Sequence, residues 1–116
     1  MTTTTDLLPR CTVPCPSWCA WPAGHPYEGD DSDGNGIRYH ELEIGKTSRA
    51  VVTITAEAVE AGDSERVDLA VVQVLGLSGS DDAVGDLSVL GARELAGLLV
   101  EAADRLAGIL AQEAAR

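Results

Sequence analysis

Residues 37–59, Ile37-Arg-Tyr-His-Glu-Leu-Glu-Ile-Gly-Lys-Thr-Ser-Arg-Ala-Val-Val-Thr-Ile-Thr-Ala-Glu-Ala-Val59, read as two strands and a turn, and they decide the fold. Ile37 to Ile44 alternates with the period of a strand, which puts His40, Leu42 and Ile44 on one face. Gly45-Lys-Thr-Ser48 supplies a turn, and Arg49 to Val59, rich in Val, Ile and Thr, supplies the second strand. Its even positions Val52, Ile54, Ala56 and Ala58 point inward, and Thr53, Thr55 and Glu57 point outward. After the turn Ala61-Gly-Asp-Ser64, a third strand is expected over 66–75. It carries apolar residues on both sides, Val67, Leu69 and Val71 against Ala70, Val72 and Val74, which predicts a central strand covered twice.

Further along, 77–86 is rich in Gly, Ser and Asp, with room for a short fourth strand near Val84 to Leu87. Ser88 then reads as the N-cap of a helix running to about Ala114. Leu95, Leu99, Ala102, Leu106 and Leu110 line one face of it, opposite Arg93, Glu101, Asp104, Arg105 and Gln112. Such a helix measures about 39 Å, against about 26 Å for an eight-residue strand. The overhang, with Leu98 and Ile109 widening the apolar face and Gly97 and Gly108 permitting close approach, points to a homodimer. The fold expected is α+β: an antiparallel sheet of three to four strands, one long C-terminal helix packed on it, and a Cys/His-rich, zinc-knuckle-like N-terminal loop. Residues 1–10 read as a flexible tail and 11–116 as a single domain, divided into a metal-binding loop region at 11–40, the sheet at 37–87 and the helix at 88–116.

Ahead of the hairpin, every cysteine and histidine of the chain falls between Cys11 and His40: Cys11, Cys15, Cys19, His25 and His40. Pro14 and Pro16 forbid a helix through the cysteines, so this is a turn-rich loop. Zinc takes four Cys or His ligands at tetrahedral angles. Cys15 and Cys19 form a C-x3-C pair, His25 follows, and His40 arrives at the start of the first strand; Cys11 is the substitute ligand. A thioredoxin-like redox site is disfavoured because C-x-x-C is missing, and a zinc deaminase because His40-Glu41-Leu42 is not H-x-E.

Cys15-Pro16-Ser17-Trp18-Cys19, then His25, then His40 entering a strand, together with a Leu/Ala-rich closing helix begun by Ser, resembles an uncharacterised small domain family of actinobacteria and their phages. The resemblance implies that Cys15, Cys19, His25 and His40 are the family's ligand-like positions and that Cys11 lies outside its pattern. It brings no activity. A second motif, Asp31-Ser32-Asp33-Gly34-Asn35-Gly36, matches the first half of a calcium loop through Asp31, Asp33 and Asn35. Its twelfth position is Leu42 where a bidentate Glu is needed, so a solvated turn is the plainer reading.

The remaining composition excludes more than it assigns. Net charge is −11 over 116 residues, and the eight Lys and Arg include no adjacent pair, which argues against direct nucleic-acid binding and for a basic protein partner. Phe is absent and the large rings are Trp18, Trp21, Tyr27 and Tyr39, so the core is mainly aliphatic and gains from a metal staple or an oligomer interface. No signal-peptide pattern and no membrane-length apolar run are found, from which a cytoplasmic location is expected. No Walker A loop, G-x-S-x-G, H-E-x-x-H or complete dinucleotide motif occurs. The expected function is a small zinc-stapled interaction or regulatory protein without catalysis. The alternatives are an acidic, phage-type inhibitor or DNA mimic, and a three-ligand zinc hydrolase with Glu41 or Glu43 as base.

Overall fold

The hairpin at 37–59 forms and is longer than its alternation alone suggests. In a computed structural model that describes residues 13–22, 24–77 and 86–115, the chain begins with β1 (Gly29–Asp30), β2 (Gly36–Lys46) and β3 (Ala50–Ala61). β4 (Ser64–Val67), β5 (Val71–Gly76) and one helix, α1 (Val89–Ala114), complete it. All pairings are antiparallel: β1 with β2, β2 with β3, and both β4 and β5 with the other edge of β3. The architecture is α+β, as expected. The tail at 1–10, Cys11 and the first half of the short strand expected near 84–87 lie outside the described residues, and 86–88 are irregular.

Each turn has a local cause. The Thr47 hydroxyl accepts from the amides of Arg49 and Ala50 at 3.1 and 3.0 Å and closes the β2–β3 hairpin, two residues later than the expected turn. Gly62, with φ 65°, opens the two-residue link between Ala61 and Ser64, where a side chain would be strained.

The third strand departs from expectation. It is two pieces, both at the edge of β3, and β3 is the central strand. Val67 pairs with Ala58 while Val71 pairs with Thr55, so three residues of the edge oppose two of β3. That extra residue is a bulge. It turns Ala70 into the core and throws Leu69 outward, 70% exposed. The change of phase, not double cover, explains why apolar residues fall on both parities. A second shift between Glu43 and Gly45 brings Gly45 opposite Val52, beneath Leu98 of α1, whose Cδ2 would lie 2.7 Å from a Cβ at 45.

One face of the sheet carries Arg38, His40, Leu42, Val52, Ile54, Ala56 and Ala58, and α1 packs over it. The core cluster is Ile54, Ala56, Ala70 and Ile109, with Trp18, Leu42, Ile44 and Leu106 against it. Ser88 caps α1 by accepting from the Gly91 amide at 3.0 Å. Its inward face is rotated from the expected one: Leu98 and Ile109 turn inward, while Leu99 is exposed and Leu110 only partly covered. A helix aliphatic on several sides leaves that choice to the shape of the sheet, here to the gap above Gly45. The strands are longer than expected, about 37 and 41 Å for 11 and 12 residues, although both ends of the helix stay exposed, at Val89 and Leu90 and again over 111–115.

Candidate metal centre

Three short segments converge on the edge of β2. Pro16-Ser17-Trp18-Cys19 forms a turn closed by the Cys19 amide donating to the Pro16 carbonyl at 3.0 Å, which brings Cys19 back toward Cys15. The chain then runs beside β2, the Ala20 amide donating to the Glu41 carbonyl at 2.8 Å. A second turn, with the His25 amide on the Pro22 carbonyl at 3.1 Å, aims His25 back at the sheet. His40 waits on the inward face of β2, wholly buried.

The result is a cluster. One donor atom from each of Cys15, Cys19, His25 and His40 lies within 4.8 Å of the others. The Cys19 Sγ and His25 Nε2 are 3.7 Å apart, and the rings of His25 and His40 stand edge to face at 5.4 Å. Trp18 meets His40 edge-on at 6.3 Å and walls the cluster on the core side. All four residues foreseen as ligands are brought together; Cys11 is outside the described residues.

The electrostatics of the cluster act in both directions on a cation. Burial pushes the Cys19 thiol up, against the amides of Glu41 and Trp21 that are directed at its sulfur and pull it down; neighbouring Cys15 adds to the rise. Burial, then the charges of Arg38 and His40, hold His25 below the ordinary imidazole value, against Glu65. A neutral imidazole is the form that ligates.

Sequence reading missed two residues that build this site. Arg38 is fully buried on the same face as His40, and Glu65 reaches it from β4. Arg38 Nε donates to Glu65 Oε2 at 2.6 Å and its terminal nitrogen to Oε1 at 3.1 Å. Tyr27 Oη donates to Oε2 at 2.8 Å, and His40 Nε2 lies 2.7 Å from Oε1. Burial alone would raise the Glu65 pKa; these bonds from Arg38, His40 and Tyr27 outweigh it and hold the carboxyl below its usual range. Arg38 also donates to the carbonyls of His25 and Val13 at 2.8 and 2.9 Å, fastening the loop on both sides of the cysteines. The parity of position 38 in the strand is the one sequence signal for this, and its partner is 27 residues away.

Asp31, Asp33 and Asn35 lie apart from this cluster, in the β1–β2 turn. Asp31 Oδ1 accepts from the amides of Asp33 and Asn35, both at 2.9 Å, and its other oxygen from the Asn35 side chain at 3.4 Å. These bonds make a self-capped turn in which Gly34 adopts φ 82°. Among the described residues no helix is long and apolar enough to cross a membrane.

The profile of one family, described as a domain of unknown function (DUF6907), matches residues 1–116. No curated protein matches the chain, and no solved structure does.

Proposed function

The chain belongs to the DUF6907 family, and on that premise we propose that it is a small zinc-stapled interaction domain without catalytic activity, acting as a homodimer. The observation that carries the reading is the donor set, two thiols and two imidazoles within 4.8 Å of one another. Two sulfurs and two nitrogens suit zinc at tetrahedral angles, and an ion between them would hold the Cys19 thiol as thiolate despite its burial. With four protein donors no coordination position is left for an activated water, which speaks against a hydrolase. Glu41, a base that reaction would need, accepts from the Trp21 indole at 3.2 Å.

The ion would join the N-terminal loop to β2, so the site is a staple. Metal analysis of the untagged protein, purified under reducing conditions, should give about one zinc per chain. Cys15→Ser or Cys19→Ser should lower that ratio severalfold. A ratio near zero in the unaltered protein would sink the reading.

For the homodimer, the supporting observation is the side of α1 turned away from the sheet. Val89, Ala96, Val100, Ala103 and Ala107 stand exposed along it, the first 71% and Val100 62%. Small residues let two helices approach closely. Light scattering should return twice the chain mass, and Val100→Glu should halve it without changing zinc content. A monomeric mass for the unaltered protein at all accessible concentrations would count against the dimer.

A second reading, an acidic inhibitor of the kind phages direct at host proteins, draws on the other face of the sheet. Glu41, Glu43 and Glu57 lie there beside the half-exposed Trp21. Such a face suits a basic protein, and capture of that partner should weaken as salt is raised.

A further inference from the structure

The two ring nitrogens of His40 differ sharply in their surroundings, and the side chain is wholly buried. Nε2 lies 2.7 Å from Glu65 Oε1, whereas Nδ1 is buried with no hydrogen-bond partner. Buried polar atoms in native folds nearly always have a partner, and a lone one needs a reason.

We propose that Glu65 is the positioning residue of the metal centre: its carboxylate accepts the Nε2 proton of His40, so that Nδ1 turns its lone pair to the ion. This rests on the metal reading above. A neutral imidazole donates from one nitrogen and accepts or ligates through the other, and which does which is set by the hydrogen bond at the first. Histidines that hold metals commonly give their second N–H to a carboxylate in this manner. Glu65 itself is no ligand, because its two oxygens already receive Arg38 twice, Tyr27 and His40.

The reach of the arrangement is wider than one ring. Arg38, which holds Glu65, also holds the carbonyls of Val13 and His25. One buried ion pair thus touches the segment ahead of Cys15, the turn bearing His25, and the ring of His40. Metal affinity depends on residues 38 and 65 although neither meets the ion.

The test reads protons directly. Long-range proton–nitrogen spectra of the full-length, untagged, nitrogen-15-labelled chain report which ring nitrogen bears the proton. Neutral His40 should carry it on Nε2 in the metal-free protein, and Nδ1 should move to a metal-bound shift when zinc is added. A proton on Nδ1 in the metal-free protein would overturn the proposal whether or not zinc binds. The Nε2–H tautomer in a chain that takes up no zinc would overturn the metal reading instead, while supporting the hold of Glu65 on His40. Removing Glu65 alone strands the buried charge of Arg38, so affinity is compared in two double variants. Arg38→Met with Glu65→Leu should bind zinc about 10- to 100-fold more weakly than the unaltered protein, by competition with a chromophoric chelator. Arg38→Met with Glu65→Gln, which restores an acceptor for Nε2, should recover most of that loss. Equal affinities for the two variants would overturn the role assigned to Glu65.

Discussion

Arg38 carries a charge at a position wholly removed from water, and the Glu65 carboxylate meets that charge there. Breaking such a pair from one side leaves the other charge buried. Arg38→Met alone should therefore destabilise the fold by about 3–5 kcal/mol, read from the urea midpoint. Two neighbouring groups set the acid limit. Folded Glu65 titrates below its ordinary value, so its contribution is present above the unfolded pKa and lost as pH falls through the folded one. His25 is also lowered, so the unfolded chain takes up that proton first and stability declines once pH drops below the ordinary imidazole value of 6.5. Both act in one direction: the urea midpoint of metal-free protein should fall between about pH 7 and pH 4. A midpoint that holds level or rises would contradict the assignment. The ligands were legible in the sequence because Cys and His are rare and clustered. Arg38 and Glu65 were not, since a salt bridge across 27 residues has no local signature and Arg in a strand reads as solvated.

At the scale of elements, hairpins and caps were legible because their causes are local: Gly62 at its turn and Ser88 at its helix. Phase was not. A bulge inserts a residue of no distinctive type, and every position beyond it changes face. The same locality governs two sets of glycines. A Cβ on Gly36 would fall 2.6 Å from Cγ of Tyr27, a ring tied by its hydroxyl to Glu65. Gly36→Ala should cost about 1–3 kcal/mol of stability and weaken zinc binding. Gly97 and Gly108 meet nothing within 4 Å, and Ala at either should stabilise the helix by about 1 kcal/mol. Denaturant titration of each variant checks both values. A loss of dimer mass in Gly97→Ala or Gly108→Ala would show that these glycines serve a partner's close approach.

Across the whole molecule, each strand from β2 to β4 pairs with the one before it, and β5 returns to β3 beyond β4. Sequential order of this kind was foreseeable from the turns. The exposed side of α1 and the acidic face were legible only as tendencies, because small aliphatic residues and carboxylates are equally at home in water. Removing zinc with a chelator should lower the melting temperature yet leave the strand signal in circular dichroism, since β2, β3 and their turn are closed without the cysteines. Loss of the strand signal together with the metal would show that the sheet cannot stand alone. The Thr47 hydroxyl, locking the β2–β3 turn through two amides, also bears on the order in which the chain folds. Short-range closure is the fastest step open to such a chain. The hairpin is therefore expected to form ahead of the Gly62 turn that brings Glu65 to His40, and pulsed hydrogen exchange should show the β2 and β3 amides protected before those of the Cys15–Cys19 segment. During synthesis Cys15 and Cys19 emerge ahead of the His40 ring that they meet in the fold. Thiol labelling of ribosome-bound chains should accordingly fall once residues 37–65 have emerged, and labelling that stays constant past that length would contradict this order.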